Sequence, residues 1–64
     1  MLNDKQRRIV KQLPSIRTYA HMLIVLTKEF ERESEKEYVN PDTINYIVHD
    51  MNNAIKEIAT MIDD

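Results

Sequence analysis

Residues 40–62 read NPDTINYIVHDMNNAIKEIATMI, and this stretch decides the fold. Asn40 is a residue type favoured at a helix N-cap, and Pro41 is a type favoured at the first helical position. From there, steps of four and three residues alternate between the apolar side chains Ile44, Val48, Met51, Ile55, Ile58 and Ile62. Four further apolar residues widen this stripe: Ile47, Ala54, Ala59 and Met61. The coiled-coil-like spacing predicts one helix over residues 41–62.

A second stripe with the same period lies upstream and consists of Ile9, Leu13, Ile16, Ala20, Leu23, Thr27 and Phe30. Around its middle, further apolar residues make the helix apolar on nearly every side: Tyr19, Met22, Ile24, Val25 and Leu26. A helix that is apolar all round is buried all round. One antiparallel helix cannot cover such a surface, so the pattern predicts a third element or a second chain.

Pro14 interrupts the second stripe, and two interpretations follow. In the first, a short helix over 3–12 ends before Pro14 and a long helix over 14–36 begins with it. In the second, one long helix is kinked at Pro14. Asn3 followed by Gln6 resembles a capping box and gives the short segment its own start, which favours the break. The unbroken apolar period across Pro14 supports the kinked helix.

The sequence therefore predicts an all-α fold, with one helical domain over 1–64. Two long helices joined by a turn over 37–40 form a helical hairpin, preceded by the short N-terminal helix. Two such hairpins would dimerise into a four-helix bundle. A monomeric three-helix bundle, with residues 3–12 as cover, is the competing fold. The predicted core and dimer residues are Ile16, Tyr19, Leu23, Leu26, Phe30, Ile44, Val48, Met51, Ile55, Ile58 and Ile62.

The composition excludes several classes of protein. The chain has 64 residues with no cysteine and no glycine, which removes disulfides, thiolate metal sites and glycine-rich phosphate loops. Its longest apolar run, Met22–Leu26, is far shorter than the roughly 20 residues that span a bilayer. No basic-then-apolar leader opens the chain, so we expect a cytoplasmic protein.

Charge is distributed unevenly along the chain. Residues 1–28 carry six basic residues and one acidic residue, a net charge of +5, whereas residues 29–64 carry three basic and ten acidic residues, a net charge of −7. A basic segment of this kind could bind phosphates through Lys5, Arg7, Arg8, Lys11 and Arg17. The acidic segment could instead bind a basic surface of a protein partner, through Glu29, Glu33, Glu37 and the aromatic Tyr38.

Residues that could carry chemistry are few and scattered. His21 and His49 form no His-x-x-x-His or Glu-x-x-His pair, and no serine or threonine has an evident base. We therefore expect no metal, no cofactor and no enzymatic activity. The sequence predicts a non-enzymatic interaction module, a homodimer that regulates or inhibits an unidentified protein partner. A chain this short, with no catalytic residues in evidence, is typical of phage, plasmid or small bacterial gene products. The alternative is a nucleic-acid-binding dimer that uses the basic segment.

Overall fold

The computed structural model describes residues 1–63, and helix is the only regular secondary structure in that range. Helix α1 comprises Asp4–Ser34 and helix α2 comprises Pro41–Ile62. The two helices pack against each other as a hairpin, joined by a loop over 35–40. Within residues 1–63, the contacts between secondary-structure elements are those between α1 and α2.

Helix α1 begins at the predicted capping box. The Asn3 Oδ1 atom accepts a hydrogen bond from the Gln6 backbone N–H at 2.8 Å, and the Gln6 Oε1 atom accepts one from the Asn3 N–H at 2.8 Å. These bonds satisfy two backbone donors that the first turn of a helix would leave without partners. The capping box predicted from Asn3 and Gln6 is therefore confirmed.

The expected break at Pro14 is wrong, because α1 continues through this residue without interruption. Proline lacks the N–H that would donate to the Val10 carbonyl, but it leaves the rest of the hydrogen-bond ladder intact. Ile9 and Ile16, seven residues apart on either side of it, are both half-buried, so the apolar stripe of the helix continues through Pro14 in register. There is no separate helix over 3–12, and that segment is the first part of α1.

The loop starts earlier than expected, since α1 ends at Ser34 and not at residue 36. The Glu35 N–H donates to the Glu31 carbonyl at 3.1 Å, and the Lys36 N–H donates to the Glu33 carbonyl at 3.4 Å, which tightens the last turn. The Lys36 side chain also forms an ion pair with Glu33. Acidic residues four apart repel one another on a helix, which favours an end at this point.

Helix α2 has the bounds that its cap and apolar stripe predict. The Asn40 Oδ1 atom accepts a hydrogen bond from the Asp42 N–H at 2.9 Å, and the Asn40 carbonyl accepts one from the Ile44 N–H at 3.1 Å. Pro41 follows as the first helical residue. Its missing N–H costs nothing there, because that group has no partner within the helix.

The two helices differ in length, and this sets the shape of the hairpin. Helix α1 has 31 residues and α2 has 22, while the molecule is 54 Å long in its longest dimension. Because the loop joins the C-terminal end of α1 to the N-terminal end of α2, the difference falls at the N-terminal end of α1. Residues 4–12 extend past the end of α2, and we call them the overhang.

Candidate interaction surfaces

The contact between the helices is narrow. Ile47 and Ala54, which are 6% and 2% exposed, are the only buried residues in the range 1–63. Half-buried residues of α1 include Ile16, Tyr19, Leu23 and Leu26, and two of them, Tyr19 and Leu26, line the same groove as Ala54. The small Ala54 side chain is more deeply buried than Ile47. The sequence placed Ile47 and Ala54 at the margin of the α2 stripe, whereas the structure places them at the centre of the contact.

Three members of the predicted α2 core are exposed in the hairpin. Val48, Ile55 and Ile62 are 40%, 51% and 42% exposed. Each directly follows a residue of the series Ile47, Ala54 and Met61 that faces α1, so it is rotated from that series by about 100°. The remaining predicted α2 residues, Ile44, Met51 and Ile58, are half-buried and lie between the two series.

Helix α1 has a matching set of exposed apolar residues. Leu13 and Ile24 are 38% and 54% exposed, and they are eleven residues apart, which brings them to the same side of the helix within about 20°. Ile24 directly follows the half-buried Leu23, just as Ile55 follows Ala54. Phe30, near the loop, is 37% exposed.

The exposed apolar residues of the two helices lie on one side of the hairpin. In an antiparallel pair of right-handed helices, the residue that follows a contact residue is rotated by about 100° away from the contact. Because the helices run in opposite directions, this rotation brings such residues of both helices to the same side of the pair. The two exposed sets therefore form a continuous surface beside the hairpin contact. We call it the apolar face, and its members are Leu13, Ile24, Val48, Ile55 and Ile62.

A groove lies on the opposite side of the hairpin. Its volume is about 520 Å³, and it is lined by Tyr19, His21, Met22, Val25, Leu26, Asp50, Asn53, Ala54 and Glu57. A second hollow of about 420 Å³ next to the loop shares Asp50 with the groove and adds Glu29, Arg32, Glu33, Thr43, Tyr46 and Ile47. The floor of this surface is apolar, and carboxylates predominate along its rim.

The predicted partner-binding residues separate into two groups at opposite ends of the hairpin. Lys5, Arg7, Arg8 and Lys11 are exposed on the overhang, and Arg17 is exposed just beyond it. Five glutamates lie in residues 29–37, which we call the acidic tip: Glu29, Glu31, Glu33, Glu35 and Glu37. All of these are exposed except Glu33, which is half-buried beside Lys36. Tyr38 and Tyr46 are exposed near the same end.

The histidines lie apart from each other and from any concentration of ligands. His21 lies at the rim of the groove, and His49 lies beside Asp42, Asn45 and Tyr46. Within residues 1–63, no three histidine or carboxylate side chains come together as a site for a metal ion. Neither α1 nor α2 is both long and apolar enough to cross a membrane.

A comparison of the chain with family models, with curated proteins and with solved structures found no match.

Proposed function

We propose that this chain is a non-enzymatic interaction module that works as a homodimer, a four-helix bundle of two hairpins that regulates or inhibits a protein partner. The observation that carries the proposal is the apolar face. It presents five aliphatic side chains to solvent on one side of a two-helix molecule, and an exposed apolar patch of this kind marks an interaction surface.

The direction of the apolar stripes supports a bundle. In a four-helix bundle each helix contacts two neighbours, so its apolar stripe is centred between them. In α2 the stripe contains both the residues that face α1, such as Ala54, and those of the apolar face, such as Ile55. The same holds in α1 for Leu23 and Ile24. Each helix therefore has apolar side chains for a second neighbour. The second neighbours of α1 and of α2 would both lie on the same side of the hairpin, where the apolar face is.

The exposed area supports a second copy of the chain. The surface accessible to solvent is 5345 Å², whereas a compact monomer of 7.6 kDa exposes about 4,300 Å². The excess is about 1,000 Å² per chain, or about 2,000 Å² for two chains. Stable protein interfaces bury about 1,200–2,000 Å² in total, and permanent homodimers bury more. Pairing of two hairpins would therefore bury an area typical of a stable dimer.

Sedimentation equilibrium tests the homodimer directly. We expect twice the chain mass of 7.6 kDa at micromolar concentration. Ile55→Asp should abolish the dimer, because it places an unpaired charge in the proposed interface. Asn53→Asp is the matched control: it introduces the same charge two residues away, in the groove, and should leave the mass unchanged. A monomeric wild type, or a dimeric and fully helical Ile55→Asp variant, would contradict the proposal.

The groove is the surface on which the protein partner would bind. In the proposed bundle the apolar face is covered, and the groove lies on the outside. Met22 and Val25, 45% and 43% exposed, would contact apolar side chains of the partner. Asp50 and Glu57 would pair with its cations, since both acids line the groove. This chemistry fits a basic amphipathic helix, a common form of helix-in-groove recognition.

Two peptides of equal length can test the groove by fluorescence anisotropy. A helical peptide of leucine and lysine should bind, and one of leucine and glutamate should not. Val25→Gln should weaken binding of the basic peptide, because it removes an apolar contact without adding charge to the groove, while the dimer mass stays unchanged. Equal binding of the two peptides would exclude charge-selective recognition by the groove.

The overhang favours nucleic-acid binding as a second candidate function. Its four basic residues and one acidic residue, a net charge of +3, lie beyond the end of α2. Contacts with phosphates would release counterions, so binding of a single-stranded RNA or a DNA duplex should weaken steeply as salt rises. Arg7→Ala together with Lys11→Ala should reduce both the affinity and this salt dependence. No retention of either nucleic acid at 50 mM salt would remove this candidate.

A further inference from the structure

The two ends of the hairpin carry opposite charge. The overhang has a net charge of +3, from four basic residues and one acidic residue. The acidic tip has a net charge of −3, from five acidic and two basic residues. The 31 residues of α1 separate these segments, since the overhang lies at its N-terminal end and the tip at its C-terminal end.

A two-fold dimer through the apolar face has two possible orientations. If both tips lie at the same end of the bundle, the two overhangs lie together at the other end, and like charges meet at both ends. If the tips lie at opposite ends, each overhang lies beside the acidic tip of the other chain. Like charges in juxtaposition are unfavourable and complementary potentials fix the register of an interface, so charge favours the second orientation.

We propose that two copies of this chain pair with their tips at opposite ends, so that the overhang of each chain covers the acidic tip of its partner. This inference rests on the proposed homodimer and adds the orientation of its two chains. The apolar face supplies most of the affinity. The charges select between two ways of packing the same face, because each exposed ion pair contributes little but several act together at both ends.

The lengths of the helices support the same orientation. With tips at one end, both overhangs would project from the bundle and leave Val10 exposed, together with Leu2 just before the overhang, as they are in the single hairpin. With tips at opposite ends, α1 runs antiparallel to the α1 of the partner, and the overhang lies against the partner chain. We place the two-fold axis at residue 19, the midpoint of α1, because there the overhang reaches the partner's tip, and Leu13 then lies near the partner's Ile24. Both side chains belong to the apolar face.

Spin labels at single cysteines can measure the orientation, because the native chain has no cysteine. Ser34→Cys places a label at the end of α1, and pulsed dipolar spectroscopy then gives the distance between the two labels of a dimer. Opposite tips predict about 45 Å, which is the length of α1 at 1.5 Å per residue. A distance below about 25 Å would overturn the orientation, since helices in a bundle lie only about 10 Å apart.

His21→Cys is the control for assembly. Residue 21 lies close to the middle of α1, so its label should be within about 30 Å of the partner's label in either orientation. Absence of dipolar coupling at this position would show that no dimer forms, and the proposed function would then fail. Coupling at residue 21 with a short distance at residue 34 would keep the dimer and overturn only the orientation.

Salt and charge provide a second test. With tips at opposite ends, opposite charges attract, so the dimer dissociation constant should rise between 50 mM and 500 mM NaCl. With tips at the same end, like charges repel, so the constant should fall over this range. Lys5→Glu with Arg7→Glu should weaken the dimer about tenfold at low salt by bringing acidic segments together. Lys28→Glu with Lys56→Glu is the control. It changes the net charge of the chain by the same amount, but at positions outside the overhang and the acidic tip, and should therefore have a smaller effect. A tighter dimer in the first variant would contradict the proposal.

Discussion

Ala54 and Ile55 are consecutive residues of α2, yet Ala54 is 2% exposed at the contact with α1 and Ile55 is 51% exposed on the apolar face. A step of one residue turns the helix by about 100°, so the two side chains point to different neighbours. One neighbour is α1 of the same chain. In the proposed dimer the other is the second hairpin, and the same helix contributes to both contacts.

Ala54→Leu should destabilise the hairpin. The added atoms must displace neighbouring side chains at a position that is only 2% exposed, and overpacking of this kind costs about 1–3 kcal/mol. Thermal and urea unfolding at a fixed chain concentration would measure the loss. Lys56→Leu is the control, because the same residue is introduced at an exposed position on another side of α2. Equal stability of the Ala54→Leu variant and the wild type would mean that the helices are not in close contact at this residue.

The sequence predicted the all-helical fold, the capping box that begins α1 and the bounds of α2. These features depend on local signals, such as the Asn3 capping box and the Asn40-Pro41 start, which act within one turn. The end of α1 was placed two residues too late. Residues 31–37 contain no apolar side chain. They therefore have no apolar period from which the end of the helix could be located.

The break at Pro14 was wrong for a physical reason. The preference of the residue before a proline is a local effect of limited size, whereas a helix that has already formed extends cooperatively. The unbroken spacing from Ile9 to Ile16 was the better guide. The sequence also does not determine whether Ile47 or Val48 is buried against α1, because both belong to the apolar stripe. Only the position of α1 determines which of them is buried, and α1 has apolar residues on nearly every side.

Asn40→Ala should reduce the stability of the hairpin by about 1 kcal/mol. It removes the side-chain oxygen that accepts a hydrogen bond from the Asp42 N–H at 2.9 Å. Because α2 packs against α1 from its first turns, fraying there affects the hairpin contact. Asn40→Ser should retain most of the stability, since serine is about as good an N-cap as asparagine. Similar losses in both variants would indicate that the amide has another role.

Asn3→Ala should give a different result, although it also removes an N-cap. Its bond with the Gln6 N–H stabilises the first turn of the overhang, which has no α2 residue opposite it. Hydrogen exchange of the amides in residues 5–9 should accelerate, while the amides of α2 keep their protection. Gln6→Ala removes the reciprocal bond of the capping box and should produce a smaller effect in the same amides. Faster exchange throughout α2 would show instead that the overhang unfolds together with the hairpin.

Pro14→Ala should stabilise α1. The substitution restores an N–H that can donate to the Val10 carbonyl and removes the ring that crowds it, and an internal proline costs a helix about 3 kcal/mol relative to alanine. The gain would join the overhang more firmly to the rest of α1, so exchange of the amides in residues 5–13 should slow and the helical circular dichroism signal should increase. Ser15→Ala, an exposed change to the same residue type, controls for helix propensity alone and should gain only about 0.5 kcal/mol. If Pro14→Ala instead weakened the dimer without loss of helicity, the proline would be setting the direction of the overhang toward the second chain.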